Sequence, residues 1–277
     1  MLDDLCPLPA TVTGAQQFVC SCWAFVAVYG FGLAETVDVP PAMWVTTLVP
    51  LAGFFALYLW LGNLAYVYLA PGYVQMLKPM AGPVIFLLSS FRKPHQYSHW
   101  RALNISIIFG SVALTSTKDG TGSESVWWGV ACVVGSSVAN AFYTVGLQIL
   151  QEKGFEVRFA PLTVFAYVGP FCVGFLALIA ATTEWGGGAL EACVAKLPWW
   201  VLLLDCVCAF GFSLTMMRFI GMLSALNYTI YSLLKDICLV ALAFFFFQEQ
   251  IYGIQVMAWC VTVAAIVVWQ HRAARRG

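Results

Sequence analysis

Apolar runs of about 20 residues follow one another along all 277 residues, separated by short polar turns. A run of that length crosses the roughly 30 Å hydrocarbon layer as one helix, and only helices and closed barrels satisfy their backbone hydrogen bonds there. Spans are expected near 14–33, 46–66, 72–90, 101–117, 125–150, 160–183, 198–222, 229–247 and 253–271, nine in all. The fourth is short and the fifth long, which suits tilt or re-entrance. With 61% hydrophobic and 9% charged residues and a mean hydropathy of +0.85, against about 25% charged in soluble domains, the chain reads as an all-α polytopic membrane protein. Its 13 basic and 13 acidic residues cancel, so nothing in the bulk charge suggests a nucleic-acid partner.

The position of each charge is more informative than the sum. Lys78, Asp205, Arg218, Lys235 and Asp236 fall inside apolar spans, where a charge costs about 2.5–3.5 kcal/mol on insertion scales and marks a partner, cavity or transport path. Residues three and four apart share a helix face, so Tyr228, Tyr231, Ser232 and Lys235 form one polar stripe on the eighth span. Asp236 lies about 100° round the helix from Lys235; the two are expected to find separate partners, Asp236 meeting Arg218 or a substrate hydroxyl. On the third span Gln75 and Lys78 share a face. Pro79 and Pro83 withhold two backbone N–H groups there and should kink the helix into a cavity wall. Asn63 and Tyr66, near the end of the second span, are candidates for further hydrogen bonds to a ligand. Asp205 is expected near the interface or paired with a neighbouring cation.

Other polar features have plainer readings. Ten cysteines lie mostly in apolar runs without a CxxC pair, and read as small core residues rather than ligands or redox groups. His95 and His99 sit among Arg92, Lys93 and Arg101 with no nearby carboxylate to complete a metal site. No metal and no cofactor is expected. Trp100, Trp127, Trp128, Trp199 and Trp200 mark span ends, where indoles collect at the membrane interface.

Cations also set orientation. One set of alternate loops, including the C-terminus, carries eight Lys and Arg, and the other only Lys118 and Lys196; the positive-inside rule makes the first set cytosolic.

Aligning Lys78 with Lys235 pairs 69–78 with 226–235, on spans five apart and therefore oppositely directed. That is the pattern of an inverted repeat, which places a substrate site at the repeat interface near mid-bilayer. Two lysines from opposite halves can clamp a phosphate or diphosphate, since ammonium groups bind phosphate as point charges.

Tyr73-Val-Gln-Met-Leu-Lys78 with Pro83 following, Gln148-Ile-Leu before a glycine-containing turn, Val207-Cys-Ala-Phe210, and Ser224-Ala-Leu226 followed by Leu234-Lys235-Asp236 resemble the triose-phosphate translocator and nucleotide-sugar transporter branch of the drug/metabolite transporter superfamily. The Lys-Asp ending resembles the subgroup named for that dipeptide. The resemblance implies the drug/metabolite transporter fold, ten helices in two inverted halves around a central cavity, and exchange of phosphate-bearing solutes. It begins at the family's second helix, so the expectation is a single transporter domain over 1–277, with an N-terminal half (1–117) lacking its first helix and a five-helix C-terminal half (125–277). Tyr143 stands where relatives often carry a basic residue, and Pro79 directly after Lys78 is a second departure.

The first functional expectation is therefore a secondary antiporter, not an enzyme, exchanging a nucleotide sugar for its nucleoside monophosphate in a Golgi or other endomembrane. A plastid-type sugar-phosphate/phosphate exchanger is the alternative, and a non-transporting regulator or scaffold of the same fold is the alternative of another class. Lys78, Lys235, Asp236, Gln75, Tyr228, Tyr231, Ser232, Asn63 and Tyr66 are the candidate substrate-binding residues. The bilayer and a phosphorylated sugar or nucleotide sugar are the expected partners, with room for an oligomer.

Overall fold

The computed structural model describes residues 8–92, 100, 103, 106, 107, 110, 124–152, 159–186, 198–223, 225–247 and 253–274. Regular structure among them is helical: α1 (Pro9–Gly30), α2 (Pro41–Tyr68), α3 (Pro71–Leu77), α4 (Ala81–Arg92), α5 (Glu124–Gln151), α6 (Pro161–Thr183), α7 (Trp199–Leu223), α8 (Ala225–Phe247) and α9 (Gly253–Ala274). Eight of the expected spans coincide with these helices, α3 and α4 together making the third. The fourth span lies almost wholly outside the described residues.

Prolines start four of the helices, at residues 9, 41, 71 and 161, where the missing N–H is one that a first turn cannot use. The residue ahead of proline is driven to extended backbone, as at Ala70 (φ −61°, ψ 143°) and Ala160 (φ −68°, ψ 149°). Two π turns, Val26–Gly30 and Trp44–Leu48, interrupt α1 and α2; neither was foreseeable from hydropathy, which carries no information on hydrogen-bond register. Among the described residues α1, α2, α6 and α7, with residues Val126–Gln151 of α5, are each long and apolar enough to cross a bilayer. α8, at 23 residues, rises about 35 Å, long enough to cross it as well. Outward faces are apolar, with Phe245 and Phe246 of α8 75% and 77% exposed, as a lipid-facing surface requires. Trp127, Trp128, Trp199 and Trp200 are exposed near helix ends and Trp100 is exposed, as side chains at a membrane interface would be.

The most extensive packing sets α2 antiparallel against α5. Glycines on α5 let the backbones approach, as is usual where lipid offers no hydrophobic drive between helices. A Cβ added at Gly129 would sit 2.5 Å from Leu69, at Gly135 3.0 Å from Leu61, and at Gly146 2.7 Å from Leu51. Antiparallel register follows from that order, since α5 ascends in number as α2 descends. Around this pair two apolar layers form. One joins Phe55, Tyr143, Leu147, Phe165 and Met217, with Tyr143 stacked on Phe55 at 4.4 Å between ring centroids. The other joins Ala65, Leu69, Tyr73, Leu77 and Val133.

α1 and α6 also run antiparallel and are fastened at both ends. Leu8 supplies no side-chain cap to α1. Glu184, just past the end of α6, takes that place: Ala10 N–H donates to Oε1 (2.7 Å), and Thr11 N–H and hydroxyl donate to Oε2 (both 2.8 Å). A carboxylate there satisfies orphan N–H groups and complements the positive helix end. At the opposite end the 31–40 connection is held to α6, with Thr163 Oγ1 donating to the Glu35 carbonyl (2.9 Å) and Tyr167 Oη to the Val37 carbonyl (3.0 Å).

Replacing Gly146 with leucine should overpack the α2–α5 seam, at about 1–3 kcal/mol. The same change at Gly174, where an added Cβ meets nothing within 4 Å, should be tolerated. Thermal unfolding of the purified variants in one detergent checks this: a lower midpoint for Gly146→Leu alone is expected.

Candidate anion-binding cavity

Between the two apolar layers lies a cavity of about 730 Å³, mouth included, lined by residues of α2, α3, α4, α5, α7 and α8 and by the turn joining α3 to α4. Its place follows from sequence order along α5: Val133 belongs to one layer, Ser136, Ser137 and Asn140 line the cavity, and Tyr143 belongs to the other layer. Polar residues thus mark the middle of a 28-residue helix.

Lys78 enters the cavity at a break in the helix. Pro79 has no N–H for the Gln75 carbonyl, and α3 tightens into the 3-10 turn Lys78–Met80 before resuming as α4. The kink expected from the two prolines is therefore a short change of helix type at the lysine itself. Lys78 Nζ donates to Tyr66 Oη (2.9 Å), and Gln75 Nε2 donates to the same oxygen (2.7 Å). Gln75 is 6% exposed and its Oε1 has no donor among the described residues.

Lys235 enters from α8, which packs against α3. Its ammonium lies 5.6 Å from the Phe212 ring centroid, a cation–π distance, and 3.0 Å from Asp236 Oδ1. That ion pair corrects the expectation of separate partners. Neighbours on a helix diverge at Cβ, but the four-carbon lysine arm is long enough to fold back over one residue. Asp236 is 5% exposed, and its Oδ1, though ion-paired, accepts no hydrogen bond from the described residues. The cavity thus joins two ammonium groups from residues 157 positions apart with one carboxylate, a net formal charge of +1.

The structure brings together Lys78, Lys235, Asp236, Tyr228 and Ser232 as cavity-lining residues. Three other candidates stand behind that wall. Tyr66 and Gln75 orient Lys78, and Asn63 Nδ2 donates to Thr13 Oγ1 (2.6 Å), tying α2 to α1. Each donates to or accepts from a protein group, which suits a positioning role, while Gln75 Oε1 accepts no hydrogen bond from the described residues. The Tyr231 side chain lies outside the described residues, as do His95 and His99. Asp205, expected near the interface or paired with a cation, accepts a hydrogen bond from the neutral Gln16 Nε2 at 2.9 Å. Tyr58, Ser136, Ser137, Asn140 and Phe212 line the cavity without having been anticipated. The signal for three of them was present, because Ser136, Ser137 and Asn140 put polar groups on adjoining faces of an apolar span. Ser136 Oγ donates to the Tyr58 carbonyl (3.0 Å) and Thr144 Oγ1 to Asn140 Oδ1 (3.1 Å). Gly62 opens the seam here, its added Cβ falling 3.0 Å from Ser136 Oγ.

A cysteine at position 140, in an otherwise cysteine-free chain, should react faster with an anionic methanethiosulfonate than with a cationic one. Removing Lys78 as alanine should shrink that difference, and reaction rates measured with the two reagents check both statements.

Comparison with known proteins places this architecture. The Triose-phosphate Transporter family profile matches residues 1–270. Three probable sugar phosphate/phosphate translocators of Arabidopsis thaliana are 27%, 26% and 26% identical to this chain, each alignment covering 96% of it and 74% of the relative. A crystal structure 16% identical superposes with a TM-score of 0.57 over 97% of this chain and 89% of its own, a likeness of fold alone. With nearly its whole length matched, the chain belongs to the Triose-phosphate Transporter family.

Proposed function

We propose that this protein is a secondary antiporter of phosphate-bearing organic anions, with Lys78 and Lys235 as its anion-binding pair. The observation that carries the reading is the convergence of the two ammonium groups on one cavity halfway along the α2–α5 seam. A phosphate dianion offers several acceptor oxygens and can meet both. In a closed, water-poor cavity each uncompensated cation costs several kcal/mol, so the loaded carrier changes conformation more readily than the empty one. Exchange follows from that difference.

The relatives are named probable sugar phosphate/phosphate translocators, which favours a sugar phosphate exchanged for inorganic phosphate ahead of the nucleotide sugar that the family resemblance first suggested. Ser136, Ser137 and Asn140 on one wall, with Tyr228 and Ser232 on another, supply hydrogen-bonding groups suited to sugar hydroxyls. The inverted-repeat relation of Lys78 to Lys235, a cytosolic C-terminus, and an endomembrane or plastid-envelope location belong to the same reading.

Counter-exchange in proteoliposomes loaded with labelled phosphate tests it. Lys78→Ala and Lys235→Ala should each raise the apparent KM or lower the rate at least about tenfold, the lower end for losing a charged hydrogen-bond partner. Tyr66→Phe, which removes only the oxygen that orients Lys78, should cost about fivefold. Unchanged flux in both lysine variants would sink the proposed clamp, and absence of any exchange across a panel of sugar phosphates and nucleotide sugars would favour a non-transporting role.

A further inference from the structure

Asp236 is anomalous in a site built for anions. It is 5% exposed, lines the cavity, and is the one carboxylate among its described lining residues. A carboxylate beside a phosphate site repels the ligand unless it has a task when the ligand is away. The geometry supplies one. Asp236 Oδ1 lies 3.0 Å from Lys235 Nζ, and no hydrogen bond from another described residue holds that oxygen. Nothing in the contact is bidentate, and the lysine side chain keeps 40% of its surface exposed, so an entering anion can reach the ammonium without first dismantling a hydrogen-bonded network. Lys78 is held differently, its contact being the neutral Tyr66 hydroxyl.

Resting on the antiport reading above, we infer that Asp236 is an internal counter-ion that stands in for the substrate phosphate on Lys235 when the cavity is empty. Two consequences follow. A bound phosphate competes with a carboxylate already in place, which weakens its affinity. The empty cavity carries one uncompensated cation rather than two, which lowers the cost of enclosing it away from water. The empty carrier therefore changes conformation at a measurable rate, and the protein supports net movement of phosphate alongside exchange. Among the described residues, Lys78, Tyr58, Tyr66 and Tyr228 are the other ionisable groups around the pair, and none of them supplies a second formal negative charge at neutral pH.

The test uses the full chain in proteoliposomes loaded with labelled inorganic phosphate, comparing efflux into phosphate-free buffer with efflux into buffer containing phosphate. Wild type should show net efflux above protein-free vesicles. Asp236→Asn should lower the ratio of net efflux to exchange by about fivefold and lower the apparent KM for phosphate by a similar factor, while Asp236→Glu, which keeps the charge, should stay near the wild-type ratio. If Asp236→Asn does not fold, Asp236→Ser takes its place, and phosphate-dependent thermal stabilisation in detergent should be larger for the neutral variant than for wild type. An unchanged ratio with exchange intact overturns the counter-ion role alone. Equal phosphate stabilisation of the neutral variant and wild type overturns it too. Wild-type protein with no Lys235-dependent phosphate exchange overturns the antiport reading and this inference with it.

Discussion

Every charge enclosed by a membrane protein has to be compensated by a partner, by water or by a ligand. The centre of this molecule is organised by that requirement. Lys78, Lys235 and Asp236 meet in one cavity, and each is handled differently: Lys78 by a tyrosine hydroxyl, Lys235 by Asp236, and Asp236, among the described residues, by the ion pair. The remainder of the fold reads as the means of holding this cavity at mid-length. α2 and α5 pack through glycines so closely that side chains fill their seam above and below, and the opening falls where Gly62, Ser136 and Asn140 replace bulk with polar groups.

The pairing of α1 with α6 has the opposite character. α1 and α6 are clasped at one end by Glu184 on the first turn of α1 and at the other by Thr163 and Tyr167 on the 31–40 connection. The lysine-bearing α3 and α8 touch each other, and the helix break at Lys78–Met80 lies at the site itself. On the proposed antiport, the helix break beside this fastened frame is where alternating access would act.

Much of this was legible in the residues. Hydropathy placed eight helices because apolar length is a direct requirement of the bilayer, and two lysines in apolar runs announced the cavity because their cost is so large. What escaped was governed by side-chain reach and local register. Helical spacing counts Cβ directions, so it separated Lys235 from Asp236, while the flexible lysine arm brought them to 3.0 Å. Tyr66, Gln75 and Asn63 were singled out as substrate-binding candidates, yet whether such a group faces a ligand or another side chain depends on packing between helices that no single span encodes. Ser136, Ser137 and Asn140 were passed over because small polar residues are cheap in membrane helices and announce themselves weakly.

The central claim is that one phosphate group bridges Lys78 and Lys235. An experimental structure with a heavy phosphate analogue such as tungstate bound, solved with anomalous scattering, tests it most directly. The account predicts a peak between the two ammonium groups, with Lys235 drawn away from Asp236. A peak elsewhere, or none at saturating tungstate with Lys235 still on Asp236, would contradict it.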